Sequence, residues 1–404
     1  MNSEEVLEVR ESVVEIKKSR LKRVSLRELY LNGAQTLSDL SRVCHTSVPS
    51  MTSLVSELMQ ENWVVELGTG ASKSGRKPTL YGLTPSHRYV LVWDIDKYQS
   101  QCVLFNLNHE AIYTRTFNLL LFQHADYAAY LTEQTQNVLE FNGVSVGQLL
   151  GVGVSMPGLI EAKTGLNYTY PTLENEPLSH ILTTQLGVPA FILNDAKAVA
   201  LGENRFGLAK GVEHVFAINA DWGIGLGILI NGEVFQGSAG FSGELGHIQV
   251  KPEGELCSCG KTGCLETVSS SSALIRRAKE EITGGRVSAL AQEYDAGRIN
   301  SSLIIEAAHN GDELCIDLLH EIGFELGKAL AIAVYLFNPQ MIIVDGLLAQ
   351  ADRYITIPIE QALQKYCLSE MRNGLTVKAS QLGSAARQFG AYTYVLEKVI
   401  EEVN

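Results

Sequence analysis

Apolar residues recur along this chain with two different periods, and the change of period divides the sequence into parts. Up to residue 83 the pattern predicts three helices and two short strands, over residues 3–32, 36–43, 47–61, 63–67 and 79–83. A turn at residues 44–46 separates the second and third helices, and the strands flank a glycine-rich loop. This order predicts a winged helix-turn-helix, which places its second short helix in the major groove of DNA.

The third predicted helix has one apolar and one outward face. Its apolar residues at core-facing spacings are Val48, Met51, Leu54, Val55 and Leu58. The outward face carries small, mostly polar side chains that fit a major groove, namely Ser47, Pro49, Ser50, Thr52 and Ser53. In the loop between the strands, Lys73, Arg76 and Lys77 are expected to meet phosphates. A small helical protein-interaction domain is the alternative, because a helix-turn-helix pattern alone is a weak signal.

From residue 89 strands and helices alternate, which is typical of an α/β fold. The predicted strands and helices cover residues 89–95, 101–107, 111–117, 127–141, 149–156, 191–195, 196–205 and 215–220. Asn194 and Asp195 end a strand, where α/β sheets bind ligands, although capping the next helix is also an ordinary role for these residues. The apolar helix at 313–337 indicates buried core or a dimer interface. The last helix, at 384–402, is expected to pack back on the first α/β part.

Charge separates the two parts further. The 404 residues are 46% apolar, enough to bury the cores of two or three domains, and carry a net charge of −13. Residues 1–83 hold 11 Lys and Arg against 10 Asp and Glu, a net +1, which leaves −14 for the rest. Six basic residues and no acid lie within 16–27. We therefore expect a separate nucleic-acid-binding module, and, without a signal peptide or membrane span in the sequence, a cytoplasmic protein.

A cluster of metal-ligand residues stands out in the second half of the chain. Cys257, Cys259 and Cys264 follow His247 closely, which predicts a tetrahedral zinc site with four protein ligands and a structural role. Reduced buried thiols, or a disulfide with one thiol left over, are the alternatives. Glu244 and Glu266 flank the ligands and could accept hydrogen bonds from a polyhydroxylated molecule, unless they are ordinary surface charges. The remaining cysteines are expected to be core residues, at Cys44, Cys102, Cys315 and Cys367.

Four segments together resemble the ROK family of sugar kinases and sugar-responsive repressors, at residues 156–165, 193–203, 223–237 and 243–266. The resemblance implies a two-lobed actin-like, ribonuclease-H-like α/β fold. It implies zinc at the cluster above and sugar hydroxyls held by Asn194, Asp195, Glu244, His247 and Glu266. The two ring nitrogens of His247 would then divide the work between metal and sugar. In the family's kinases the residue matching Asp195 is the general base.

The sequence departs from the kinase pattern at the nucleotide site. Family kinases carry Asp-x-Gly-Gly-Thr after the first strand, whereas this chain has Asp96, Lys97 and Tyr98 after Asp94-Ile95. The second phosphate loop, expected as Gly-Thr-Gly-x-Gly, begins here with Asp221 and Trp222, and a Gly-Gly pair is replaced by Asp345-Gly346. Two acids would repel a polyphosphate and the bulky side chains would fill its space. We therefore expect no catalytic residue.

The sequence is interpreted as that of a sugar-responsive regulator, resembling the xylose and N-acetylglucosamine repressor branch of the family. The expected organisation is a winged helix-turn-helix at 1–83, a first α/β lobe at 84–195 joined by helix 384–404, and a second lobe at 196–383 with the zinc loop. The expected partners are operator DNA, a small sugar and a second copy of the chain. A sugar kinase and a repressor controlled by a partner protein are the alternatives.

Overall fold

The computed structural model describes residues 13–69, 77–121, 126–173 and 176–404. The N-terminal part contains α1 (Val13–Asn32), α2 (Leu37–Val43), α3 (Val48–Gln60), β1 (Val64–Thr69) and β2 (Thr79–Leu83). Thr36 and Ser47 start α2 and α3, because their side chains accept the backbone amides of Asp39 and Ser50. Strands β1 and β2 pair antiparallel. These elements form the predicted winged helix-turn-helix.

The N-terminal prediction is wrong at one residue of α3, and one residue of the basic segment has an unexpected environment. Val48 was expected in the core, but its side chain is 45% exposed because it opens α3 before the first buried turn. Lys22 of the basic segment at residues 16–27 is buried, with its Nζ 2.6 Å from Glu61 and 2.9 Å from Glu57. The helical period turns Lys22 towards the end of α3, where these carboxylates neutralise it.

The first lobe contains β3 (Tyr89–Ile95), β4 (Ser100–Asn106), β5 (Ala111–Phe117), α4 (Tyr127–Phe141), β6 (Leu149–Met156), α5 (Leu178–Leu186), β7 (Ala190–Asn194) and α6 (Asp195–Phe206). Its sheet has the order β5-β4-β3-β6-β7. The first three strands pair antiparallel, while β6 and β7 are parallel to β3. Strands β3 and β6 are buried along nearly their whole length, as expected of central strands covered on both faces.

The second lobe repeats this arrangement. Its elements are β8 (Val215–Ala220), β9 (Ile224–Ile230), β10 (Glu233–Val234), α7 (Glu266–Ser269), α8 (Ser271–Thr283), α9 (Ala291–Asp295), α10 (Ser301–His309), α11 (Glu313–Phe337), β11 (Met341–Asp345), α12 (Arg353–Tyr366), α13 (Ser369–Arg372), β12 (Thr376–Ala379) and α14 (Ala385–Glu402). The sheet order β10-β9-β8-β11-β12 matches the first lobe strand for strand. The two-lobed actin-like α/β fold predicted from the sequence is therefore confirmed. In the described ranges, no helix is long and apolar enough to cross a membrane.

One apolar core joins the N-terminal module to the first lobe. Leu26 and Leu29 of α1 belong to the same buried cluster as Phe105 of β4 and as Tyr392 and Val395 of α14. The winged helix is therefore packed directly against the first lobe. The four scattered cysteines are buried, as predicted. The domain bounds at residues 83/84 and 195/196 stay a prediction.

Helices α6 and α14 follow equivalent strands of the two lobes and cross in backbone contact. A Cβ atom on Gly202 of α6 would overlap the carbonyl oxygen of Ala386, and one on Gly390 of α14 would overlap that of Ala198. Each helix thus offers an alanine and, four residues later, a glycine to the other helix. The same small-residue spacing on both helices lets their backbones approach.

The crossing predicts an unusual response to Gly390→Ala. Alanine in a helix interior normally stabilises by up to about 1 kcal/mol relative to glycine. Here the methyl group would overlap a backbone oxygen, so we expect a loss of about 1–3 kcal/mol, measured by urea unfolding. Gly147→Ala is the control, because no atom lies within 4 Å of its added Cβ. Equal stability of Gly390→Ala and the parent protein would contradict the tight crossing.

Candidate metal centre and sugar-binding cleft

The four predicted metal ligands lie together. Ligand atoms of His247, Cys257, Cys259 and Cys264 are all within 4.8 Å of one another. The Sγ atom of Cys257 is 3.6 Å from Nδ1 of His247, and the Sγ atoms of Cys259 and Cys264 are also 3.6 Å apart. Four ligands about 2.0–2.3 Å from one tetrahedral ion would be about 3.3–3.8 Å apart, so the cluster has the dimensions of such a site.

Loop geometry and thiol chemistry both suit a cation at this cluster. His247 ends a short 3-10 turn, and the bridges Gln249–Cys264 and Leu256–Thr262 fold the loop back on itself. Burial and the two neighbouring thiols raise the pKa of Cys264 to about 12. Without a cation the Cys264 thiol would stay protonated, and a bound metal would reverse this preference by stabilising the thiolate. The residues therefore fit a soft divalent metal.

The flanking glutamates sit beside this cluster. Oε2 of Glu244 is 3.9 Å from Nε2 of His247, the ring nitrogen that does not face Cys257. Oε1 of Glu266 accepts from the hydroxyl of Ser258 at 3.3 Å and lies 3.6 Å from the thiol of Cys257. Burial raises the pKa of Glu244, although His247 opposes this shift. The ring of His247 thus has a thiol near Nδ1 and a carboxylate near Nε2. A histidine that binds a metal through one ring nitrogen commonly has such a polar partner at the other.

Asn194 and Asp195 lie at the junction of β7 and α6. Oδ1 of Asn194 accepts the amide of Ala196 at 3.0 Å, and its Nδ2 donates to the carbonyl of Gly158 at 3.2 Å. Asn194 therefore caps α6, which is the alternative role considered for it in the sequence analysis. Asp195 accepts from the side-chain amide of Asn219 at 3.0 Å. Burial raises the pKa of Asp195 to about 6, against the opposing charge of Arg387.

An arginine that the sequence analysis did not single out joins the two lobes at this cleft. The Nε atom of Arg387, in the first turn of α14, is 2.9 Å from Asp94 at the end of β3. Its Nη1 atom is 3.6 Å from Asp221, which follows β8 in the second lobe. Burial disfavours the charge, yet Asp94, Asp221 and Asp195 hold the pKa of Arg387 above its usual value. The guanidinium thus stays protonated between carboxylates of both lobes.

Aromatic side chains from the two lobes also meet here. The ring centroids of Tyr98, in the β3–β4 turn, and Trp222, in the β8–β9 turn, are 5.1 Å apart in an edge-to-face arrangement. The ammonium of Lys97 lies 4.8 Å from the Trp222 ring centroid. A Cβ atom on Gly223 would overlap the carboxylate of Glu266. The aromatic pair thus joins the turns of the two lobes, and Trp222 precedes the glycine whose backbone lies against Glu266.

The predicted DNA-contacting residues that the structure describes lie at the surface, at the start and on one face of α3 and just before β2. All five outward-face residues are exposed, namely Ser47, Pro49, Ser50, Thr52 and Ser53. The Ser47 and Ser50 hydroxyls are 2.9 Å apart, and the Thr52 hydroxyl donates to the carbonyl of Val48. Lys77 is exposed before β2, while Lys73 and Arg76 lie outside the described residues. The side chains of this face are small and mostly polar, and all five are exposed.

Sequence reasoning missed Arg387 and Asn219. Arg387 is nearly three hundred residues from Asp94 in the chain, and no local motif marks it. Asn219 lies in a buried strand, where an asparagine needs a hydrogen-bond partner, and this was the available signal. The repeated strand order of the two lobes explains the position of Arg387. It makes α14 the counterpart of α6, so the first turn of α14 lies at the same cleft as the first turn of α6.

These features define a two-lobed α/β protein with an N-terminal winged helix and a Cys3His cluster beside an inter-lobe cleft. The model of the ROK family matches residues 94–398. The chain therefore belongs to the ROK family, as the sequence analysis expected.

Known relatives include regulators of similar length. The chain is 27% identical to the xylose repressor of Caldicellulosiruptor bescii, over 93% of this chain and 95% of that protein. It is 28% identical to the DNA-binding transcriptional dual regulator NagC of Escherichia coli, over 88% of this chain and 86% of NagC. A crystal structure of a ROK family transcriptional regulator, a homologue of the E. coli MLC protein, matches with a TM-score of 0.81 at 27% identity, covering 95% of this chain and 96% of that one. Glucokinases of the family also match, over a smaller share of this chain.

The raised pKa of Asp195 predicts a pH-dependent effect of Asp195→Asn. The folded pKa of about 6 exceeds the ordinary 3.8, so folded Asp195 holds its proton over a range where the unfolded chain has lost it. Its contribution to stability therefore falls as pH rises from about 4 to 6. Asparagine removes this loss, so the variant should gain in free energy of unfolding relative to the parent at pH 8, and gain less at pH 5.

Urea unfolding at the two pH values measures this difference. Burial also raises the pKa of Asp345, to about 7, but that group is common to both proteins and cancels in the comparison. Asp295→Asn, at an exposed position at the end of α9, is the control and should show no such pH dependence. A variant that loses stability equally at pH 5 and pH 8 would refute the raised pKa.

Proposed function

We propose that this protein is a sugar-responsive transcriptional regulator, a repressor of carbohydrate-utilisation genes that a monosaccharide or its derivative releases from the operator. The observation that carries the proposal is that a winged helix with an exposed polar face shares one core with a lobe of a ROK fold, in which Asp195 begins α6 and Glu244 and Glu266 lie beside the metal cluster. Relatives of nearly full length are named xylose repressor and transcriptional regulator NagC, which supports the same role for this chain.

The sugar would lie between the lobes, against the metal cluster. Asp195, Glu244 and Glu266 would accept hydrogen bonds from sugar hydroxyls, and Nε2 of His247 would donate one. Asn194 would act mainly by fixing the start of α6, because its own amide groups are used in the cap. Carboxylates with few competing partners suit polyhydroxylated ligands, because each oxygen can accept more than one hydrogen bond.

A structural zinc ion would be held by His247, Cys257, Cys259 and Cys264. All four positions of a tetrahedral ion are then supplied by the protein, so the metal would fix the loop and take no part in hydrolysis. Its role would be to hold Glu244 and Glu266 at the cleft, since one precedes and the other follows the ligands in the chain. Loss of the metal would then weaken sugar binding while the two lobes remain folded.

We infer that the protein does not transfer phosphate. Arg387 already pairs with carboxylates of both lobes, and Tyr98 and Trp222 are in contact across the cleft. A nucleotide phosphate would have to separate these groups and to approach Asp94, Asp96 and Asp221, which costs electrostatic energy. Asp195, retained with a pKa of about 6, is the feature that a kinase would use, so the experiment below includes MgATP.

A homodimer on operator DNA in the cytoplasm completes the proposal. Large apolar side chains are exposed near the end of α11 and after α12, including Ile332 at 56%, Leu336 at 73% and Leu368 at 60%. Exposed apolar groups of this kind mark interaction surfaces, and a second copy of the chain is the partner expected for a two-fold operator. The dimer would place two recognition helices on successive half-sites.

The first experiment measures thermal unfolding of the zinc-replete protein with D-xylose, D-glucose, N-acetylglucosamine and N-acetylglucosamine 6-phosphate, each with and without MgATP. A ligand at about 100 times its Kd should stabilise the fold by about 2.7 kcal/mol. We expect one sugar to stabilise without ATP, and the same sugar to weaken binding to a duplex obtained by in vitro selection on the full-length protein. Consumption of ATP with a sugar would establish the kinase instead.

A matched variant separates the two binding events. Ser50→Glu with Ser53→Glu places carboxylates on the exposed face of α3 against DNA phosphates. This variant should lose duplex binding and keep the stabilisation by sugar. If it bound the duplex as the parent does, α3 would not be the recognition helix.

The zinc proposal makes a separate prediction for Cys257→Ser with Cys259→Ser. This protein should contain no zinc by elemental analysis and should lose the stabilisation by sugar, because Glu244 and Glu266 are no longer held. Duplex binding without sugar should persist, since the winged helix lies in a different core. Cys367→Ser is the control and should keep both metal and sugar response. A normal sugar response in the metal-free variant would show that zinc does not organise the cleft.

A further inference from the structure

Helix α6 reaches from the cleft to the DNA-binding module. Asp195 is its first residue, and its last turn carries Arg205, whose guanidinium carbon lies 4.5 Å from the ring centroid of Tyr30 in α1. The helix has 12 residues and a length of about 18 Å. A residue proposed to hold sugar and a residue in contact with α1 are therefore the two ends of one rigid element.

Helix α14 also connects the cleft with α1. Arg387 lies in the cleft at its beginning, and Thr393 accepts the hydroxyl of Tyr30 at 2.9 Å further along. At the end of the chain, the carbonyl of Val403 accepts from Arg23 and that of Asn404 from Lys22, each at 2.8 Å. The last helix is thus fastened to α1 at its middle and at its end.

The two helices move as one body because no side chain separates them. The carbonyl oxygens of Ala386 and Ala198 fill the space that a Cβ would need at Gly202 and Gly390. Close-packed contacts of this kind have discrete arrangements and do not deform continuously. A change in the position of α6 at Asp195 must therefore be accompanied by α14, and both helices end at α1.

The contact between Arg205 and Tyr30 lies in a buried aromatic group. The ring of His109 is 5.5 Å from Tyr30 and 5.1 Å from Phe206. Burial and the charge of Arg205 lower the pKa of His109 to about 4, so His109 is neutral near pH 7 and Arg205 is the cation facing the Tyr30 ring. Within the described residues, Nη2 of Arg205 is buried and has no hydrogen-bond partner. Arg205 thus faces the Tyr30 ring of α1, and its charge also acts on the buried carboxyl of Glu397 in α14.

We propose that sugar binding is communicated to the DNA-binding module by α6 and α14, and that the contact of Arg205 with Tyr30 is the point at which α1 senses it. The proposal rests on the proposed function, because it requires both sugar and DNA binding. Sugar held at Asp195 shifts α6, and Arg205 at the other end changes its position on the Tyr30 ring. The orientation of α1, and of α3 packed on it, then depends on whether the cleft is occupied.

The test is Arg205→Gln in the full-length protein. The operator is the selected duplex, and the probe is whichever of the four sugars stabilises the parent. Three quantities are measured: the Kd for sugar, the Kd for duplex alone, and the ratio of duplex Kd values with and without sugar. In the parent this ratio should lie in the usual range of about 5–150, and in the variant we expect it below about 3 with the other two constants nearly unchanged.

Two further variants protect the interpretation. Tyr30→Phe keeps the ring that faces Arg205 and loses only the hydrogen bond to Thr393, so it should retain most of the response. Arg353→Gln is the matched control, because Arg353 lies over the Tyr354 ring at 5.1 Å on α12, far from α1. This substitution removes an arginine from an aromatic ring but leaves the contact between Arg205 and Tyr30 intact. Its ratio of duplex Kd values with and without sugar should therefore equal that of the parent.

The outcomes separate the two proposals. If the parent responds to sugar and Arg205→Gln responds equally, the coupling contact is refuted while the regulator remains. A ratio that falls only because sugar no longer binds would also refute it, since the lesion would lie in the cleft. If the parent binds duplex but no sugar alters that binding, the proposed function fails and this inference fails with it. Loss of response with both affinities kept supports the contact.

Discussion

The crossing of α6 and α14 is the contact on which the rest of the molecule depends. Each helix follows the last strand of one lobe, and each offers a glycine against the other's carbonyl oxygen, so the lobes meet through backbone. The first turns of the two helices place Asp195 and Arg387 in the cleft, while their far ends hold α1. One pair of helices thereby sets the geometry of the cleft and the position of the winged helix. Because neither side of the crossing has a side chain that could adjust, these two features are not independent.

Around the cleft, metal chemistry and hydrogen bonding are placed on one loop. The ring of His247 has thiols on one side and Glu244 on the other, and Glu266 lies near both Cys257 and the backbone of Gly223. A metal that draws the thiolates together would therefore also orient the two carboxylates. This explains why a ligand set with no free coordination position can still matter for binding. The ion would act on the sugar through the loop it closes.

The same fold is found in glucokinases and transcriptional regulators similar to this chain, and the proposal that this chain does not transfer phosphate rests on contacts in its cleft. Arg387 is neutralised by Asp94 and Asp221, so it offers no unpaired charge to phosphate, and the contact between Tyr98 and Trp222 closes the gap between two strand turns. These contacts connect turns of the two lobes. They also reach the neighbouring carboxylate of Asp195, because the charge of Arg387 opposes the rise in its pKa that burial causes.

Local chemistry determined what the sequence alone could reveal. Period-two and helical patterns identified eight of the twelve strands and seven of the fourteen α-helices in the described ranges, and the helices α4 and α11 begin and end where the pattern predicted. The spacing of Cys257, Cys259 and Cys264 identified the ligand cluster, because metal ligands close in sequence must be close in space. Val48 was misplaced and the burial of Lys22 was not foreseen, because exposure at the start of a helix and burial by distant carboxylates are not local properties. Tertiary structure alone decided that Arg387 meets Asp94, that Trp222 meets Tyr98, and that Arg205 lies on Tyr30, since each pair joins segments far apart in the chain that only the packing of two lobes brings together.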